Sequence, residues 1–170
     1  HGLEDPHFWL DPVAMGDVVE ALAPALAATG IDAADRADAV IADLSALDAQ
    51  IDEILSGIED DQRKLVTGHE ALGYFADRYG FEVIGTVIPD DSTSGDASAR
   101  DVANLIETIT TEGVSVVFTD VGTPQSVART VADDAGAEIV EMSVAQLPED
   151  GSYQTFMLEL AQTIADAFAQ

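Results

Sequence analysis

The stretch Lys64-Leu65-Val66-Thr67-Gly68-His69-Glu70-Ala71-Leu72-Gly73-Tyr74-Phe75-Ala76-Asp77-Arg78-Tyr79-Gly80 reads as strand, turn, helix and stop. Lys64 to Thr67 is a short apolar run, the form taken by a strand buried on both faces. Leu72, Phe75 and Tyr79 then recur at helical spacing, and Gly80 offers the left-handed residue that ends such a helix. The alternation continues downstream. Phe81 to Ile88 is a second strand stopped by Pro89, and Asp90 to Asp96 is a polar loop. A helix carrying Val102, Leu105, Ile106 and Ile109 precedes the strand Ser115 to Thr119. Another helix spans about Pro124 to Ala135, Ala137 to Met142 is the last strand, and a loop through Pro148 and Gly151 leads to a helix with Phe156, Leu160, Ile164 and Phe168. Four such alternations imply right-handed crossovers and an α/β, Rossmann-like fold: a four-stranded parallel sheet flanked by helices on both faces.

Upstream, the period changes. Asp11 is a good N-cap and Pro12 a good first helical residue. Met15, Val18, Val19, Leu22 and Leu26 follow at helical spacing until Gly30. A second helix starts near Asp32, with a seam of Val40, Leu44, Leu47, Ile51, Ile54 and Ile58 that is expected to pack against the first. Neither helix has a strand of its own, so both either pack on the sheet layer or reach towards something beyond this chain.

Composition bounds the function. With 170 residues and 47% apolar content, the chain suits one ordinary domain with a real core. Thirty-three acidic residues against six basic ones give a formal charge of −27, and Lys64 is the only lysine. Such a surface repels phosphate backbones and anionic membranes, so nucleic acid is excluded as a partner. It reads as a solvated acidic coat of the salt-adapted or secreted kind, or as a field that draws cations. No run of 18 apolar residues occurs and no signal peptide is recognisable, and the start at His1, without Met, reads as processing or truncation. The absence of cysteine leaves His, Asp and Glu as metal ligands.

Histidine is scarce, with three in the chain. His1 is expected to be a disordered terminal residue. His7 lies in Asp5-Pro6-His7-Phe8-Trp9-Leu10-Asp11-Pro12, where two prolines stiffen the backbone and a Phe8-Trp9-Leu10 wedge is expected to be buried. His69 follows the first strand. Ligands of open parallel sheets bind beyond the carboxyl ends of the strands, and those ends carry Thr67-Gly68-His69-Glu70, Thr119-Asp120 and Ser143. His69 is either a metal ligand or a histidine that caps and hydrogen-bonds within the core. Asp120 is a weaker candidate, since acidic residues fill the sequence. Glu70 is expected one residue into a helix, interacting with its N-terminal dipole. Gly68-x-x-x-x-Gly73 begins like a phosphate-binding loop, but Tyr74-Phe75 stands where Lys and Ser or Thr are needed. No nucleophile elbow appears, and nothing points to nucleophilic catalysis.

The octapeptide at residues 5–12, the run Thr67 to Phe75 and Arg78-Tyr79-Gly80 together resemble the zinc/manganese solute-binding proteins of ABC importers, the cluster A-I zinc-uptake and surface-adhesin lipoproteins. Val117-Phe118-Thr119-Asp120, Ala132 to Ala137 and Pro148-Glu149-Asp150-Gly151-Ser152-Tyr153 agree with the same family, so the match runs through the whole chain. The resemblance implies a two-lobed receptor whose lobes are joined by a long helix, with the metal in the cleft. Residues 1–30 then hold the metal-ligand segment and the linker helix, and residues 31–170 form the C-terminal lobe. The N-terminal lobe with the family's first histidine ligand lies outside this chain.

His7 falls on the family's second ligand and His69 on its third. Manganese-favouring members tend to place Glu at the third position, so zinc is implied over manganese. The fourth position departs from the pattern: Met142-Ser143-Val144-Ala145 stands where an Asp is usual. Water, Asp120, Glu149 or Asp150 is then left to complete the shell, and the metal ligands expected here are His7, His69 and Asp120. The implied function is extracytoplasmic capture of Zn²⁺, in the periplasm or lipid-anchored at the outer face of the membrane, by a monomer that delivers it to an ABC permease and catalyses nothing. Metal binding through imidazole is expected to weaken as pH falls through the mid-6 range. The alternatives are a metal-dependent hydrolase and an adhesive or structural lobe that has lost its metal.

Overall fold

Lys64–Thr67 forms β1 at the centre of the molecule. The structure, a computed structural model, describes residues 5–88, 98–120 and 125–169. His1, Pro89, the Asp90 to Asp96 loop and Pro124 lie outside them. Around β1 the described residues assemble β2 (Glu82–Thr86), β3 (Val116–Asp120) and β4 (Glu138–Met142) into a parallel sheet of order β2-β1-β3-β4. The α/β sheet expected from the alternation is therefore present, with strand limits within two residues of the reading.

Side chains alternate across the pleat and meet helices on both sides. Leu65, Val116 and Phe118 enter one core with Leu47, Ile51 and Leu55 of α2 (Ala34–Leu55), Phe75 of α3 (Gly73–Tyr79) and Met157 and Ile164 of α6 (Tyr153–Phe168). Val66 and Val117 enter the second core with Leu105 and Ile109 of α4 (Ala99–Glu112) and Ala128, Val131 and Ala132 of α5 (Gln125–Ala135). The second core is built with smaller residues. At Gly85 of β2 an added Cβ would stand 2.5 Å from Leu105 Cδ1, so any larger residue there would make the Leu105 side chain shift.

The helix ends follow local chemistry. The Asp11 carboxylate accepts from Val13 N–H at the start of α1 (Pro12–Ala27), where Pro12 needs no donor of its own. Ser98 and Asp101 form a capping box at α4. Gly80, at φ 71°, ends α3 in the left-handed region. Arg63 gathers three carbonyls, donating to Tyr79, Leu55 and Ile58, with its guanidinium over the Phe81 ring. One side chain thereby ties together the ends of α2 and α3. Asp48 makes a second tie, accepting from Arg78 and from the Tyr79 hydroxyl.

The leading helices depart in part from the amphipathic reading. As expected, α1 packs on α2, and α2 packs on α6. Yet Val18, Leu22 and Val40 are exposed, and in α1 only Pro12 and Gly16 are buried. The apolar stripe of α1 exceeds what α2 can cover. Ile58, counted in the α2 seam, is buried beyond the helix end. Glu70 is also corrected: α3 begins at Gly73, so Glu70 belongs to the preceding turn and not to the first turn of the helix.

Candidate metal site

His69 is set by the end of β1. Past the last strand pair, Val87 N–H donates to Thr67 O at 2.8 Å and Ile88 N–H to Gly68 O at 2.9 Å, so β2 keeps hold of the chain as it leaves the sheet. The Thr67 hydroxyl donates to His69 O at 2.8 Å, and Ala71 N–H donates to the same oxygen at 2.9 Å. These bonds close a tight turn over residues 67–71 and delay the helix to Gly73. The His69 ring is 4% exposed.

His7 is set quite differently. It precedes one turn of 3₁₀ helix at Phe8–Leu10, whose Leu10 N–H donates to His7 O at 3.0 Å. Leu10 is fully buried in the larger core. Phe8, expected in the buried wedge, is instead among the exposed side chains, because the turn points Leu10 inward and leaves Phe8 on the outer side. Asp5 Oδ1 accepts from His7 N–H at 2.9 Å and lies 2.8 Å from His7 Nδ1. A carboxylate only accepts, so Nδ1 is the donor in this bond, and in the neutral ring Nε2 is the nitrogen left to bind an ion. The Asp-x-His spacing is that of a side chain bonding its own backbone two residues on, a signal present in the sequence that composition and motif reading passed over.

The two mounts bring His7 and His69 together, with ring centroids 5.6 Å apart and planes tilted by 59°. An ion held by a ring nitrogen at about 2.0–2.1 Å sits about 3.2 Å from that ring's centroid, so two imidazoles on one tetrahedral ion have centroids about 5.2 Å apart. The observed spacing is within a few tenths of an ångström of that figure, a separation that one zinc-sized ion can bridge.

Asp120, Ser143 and Asp150 each make hydrogen bonds of their own. Among the described residues no three His, Asp or Glu side chains form a group able to hold a metal, so Asp120 does not complete a set with the two rings. Its Oδ1 accepts from Val144 N–H at 3.2 Å. The Ser143 hydroxyl donates to Gln146 O and accepts from Gln146 N–H, closing its own turn. Asp150 accepts from Ser152 N–H and the Thr155 hydroxyl at the start of α6, and these bonds hold its carboxyl below the usual carboxylate range.

Trp9 connects the His7 segment to that same β4–α6 loop. Its indole N–H donates to Val144 O at 2.8 Å, and its own carbonyl accepts from the Tyr153 hydroxyl at 2.7 Å. Burial, reinforced by the Asp11 carboxylate, pushes the Tyr153 hydroxyl well above the ordinary phenol range, so it remains a donor.

Comparison with known proteins covers the same ground. The family model described as zinc-uptake complex component A, periplasmic (ZnuA), matches residues 1–167. The manganese-binding lipoprotein MntA of Halalkalibacterium halodurans is 25% identical over 169 residues, covering 96% of this chain and 56% of its own length. The zinc-binding protein TroA of Treponema pallidum is 31% identical over 133 residues, covering 76% of this chain and 42% of its own length. A structure of the periplasmic zinc-binding protein TroA superimposes with a TM-score of 0.81 at 27% identity, over 98% of this chain and 64% of that one. A crystal structure of ZnuA gives the same TM-score at 24% identity, over 96% and 62%. The chain thus spans about half the length of the curated relatives it matches.

Proposed function

Because this chain belongs to the family of the periplasmic component A of zinc-uptake complexes, we propose that it is the metal-holding lobe of an extracytoplasmic receptor that captures Zn²⁺ for an ABC import permease. The observation that carries the reading is the buried pair His7–His69 at 5.6 Å between ring centroids. Two neutral imidazoles supply half of a tetrahedral shell, and nitrogen donors favour zinc over manganese. The Asp5 carboxylate orients the His7 ring, as carboxylates behind metal-bound histidines do. The remaining ligands would come from a second lobe, for which the extra length of the relatives leaves room. In this reading residues 1–30 are ligand segment and linker, residues 31–170 are the lobe, and no bond of a substrate is made or broken.

The test is calorimetry and competition dialysis on the chain of residues 1–170. Zinc is expected to bind weakly compared with a four-ligand receptor, to displace manganese, and to lose its site in both His7→Ala and His69→Ala. Zinc binding indifferent to both substitutions would remove the metal-site reading. Preferential retention of manganese would overturn the choice of ion.

A further inference from the structure

We infer that Trp9, Tyr153 and Asp120 are positioning residues for the metal site: together they latch the His7 segment onto the β4–α6 loop and so set the spacing of His7 from His69. The inference rests on the metal-capture reading and adds to it the parts that make the site a site. The latch engages Trp9 at two separate atoms. The indole N–H is bonded to Val144 O and the main-chain carbonyl to the Tyr153 hydroxyl, contacts that span 135 and 144 residues of sequence. Trp9 in turn touches His7 edge-on, with ring centroids 5.2 Å apart. The His7 carbonyl is fixed in the same 3₁₀ turn through Leu10 N–H. A displacement of Trp9 is therefore passed directly to the imidazole.

Asp120 completes the latch from the other side. Its carboxylate accepts Val144 N–H, while the carbonyl of the same residue receives the indole. Val144, itself buried, is clamped between β3 and Trp9. This gives Asp120 a role in metal binding without coordination: it acts through the backbone of residue 144, and an acceptor oxygen is all that role needs. It also accounts for a site in which Ser143 stands where a ligand is usual, since that loop here serves as the seat of the His7 segment.

The experiment compares zinc affinity, the visible spectrum of the cobalt-loaded chain and the metal-free melting temperature. Tyr153→Phe removes one bond and keeps its ring, and Trp9→Phe removes one bond and keeps an aromatic, smaller ring. Each is expected to weaken zinc about threefold to tenfold and to alter the cobalt d–d bands, which report ligand geometry and would not respond to a purely structural role. Asp120→Ala is expected to lose affinity similarly, and Asp120→Asn, which keeps an acceptor oxygen, to recover most of that loss. Parent-like zinc affinity and cobalt bands in both Tyr153→Phe and Trp9→Phe, with binding lost in His7→Ala and His69→Ala, would overturn the latch and leave the metal site standing. An Asp120→Asn chain as impaired as Asp120→Ala would show that the carboxylate charge is what counts, and would overturn the indirect role assigned to Asp120. Zinc binding untouched in His7→Ala and His69→Ala would instead bring down the reading beneath it.

Discussion

His7 and His69 reach one place by opposite means. His69 grows out of the sheet: its turn is closed by main-chain bonds to β2 and by the Thr67 hydroxyl, all within about twenty residues of sequence. His7 is docked onto the sheet from outside, held by Asp5 locally and by Trp9 across more than a hundred residues. One ligand is a product of folding and the other an attachment to the folded lobe. The difference predicts that damage to the core and damage to the docking have different signatures.

The largest effect is expected where the comparison can be broken outright. Phe75 of α3 is fully buried in the larger core with Leu65 and Phe118 of the sheet. Phe75→Ala should cost about 3–5 kcal/mol, lowering the denaturation midpoint and removing both histidines at once; a normal midpoint in urea would show that the larger core is not what holds His69. An intermediate effect tests the docked side. Asp5→Ala should weaken zinc about 10- to 100-fold with little change in midpoint, since Asp5 bonds only the His7 segment among the interactions described. A fall in midpoint as large as that of Phe75→Ala would erase the distinction between the two mounts.

The smallest effect separates the mounts by alkali. Tyr79 beside α2 and Tyr153 beside Trp9 both have hydroxyls raised above the ordinary phenol range, chiefly by burial, with Asp48 and Asp11 adding to the respective shifts. A raised folded-state value means that the stabilisation is complete below the unfolded value of about 10 and is lost as pH rises through the folded one. Stability should therefore decline only above about pH 10, and Tyr153→Phe should remove part of that decline while leaving the Tyr79 part. An identical alkaline profile in the variant would place the whole effect on the His69 side.

Much of the sheet was legible. Lys64 to Thr67 announced a strand because both neighbours across the pleat are buried, which leaves no polar alternation to confuse the reading. Gly80 and Asp11 announced helix ends because their chemistry acts within a few residues. Glu70 was misplaced for a related reason: the Thr67 hydroxyl and Ala71 N–H both claim His69 O, and that competition with helix geometry is invisible to periodicity. The stripe on α1 was legible as apolar but not as uncovered, since spacing records a side chain's character and says nothing about what lies opposite. In the site, both histidines were named from sequence and are brought together. Asp120 was named for its place at a strand end and lies near the loop rather than in a three-member cluster. The Trp9 latch could not be read at all, because its partners are one backbone carbonyl and one hydroxyl far along the chain.

Lys64 has a use that follows from its place in the fold. It is the sequence's only lysine, it opens β1 at the end away from His69, and its ammonium is paired with Glu112 at 2.7 Å. The three steps from Lys64 to Thr67, at about 3.3 Å each, put it roughly 10 Å of strand away from the start of the His69 turn. An amine-reactive fluorophore used under conditions that spare the α-amine will therefore find one lysine in this lobe, across the strand from His69. That is close enough for a paramagnetic ion to quench the dye, and the label sits on the side of the sheet opposite the histidines. The scarcity of positive charge that sets this chain apart also gives it a built-in single-lysine optical gauge.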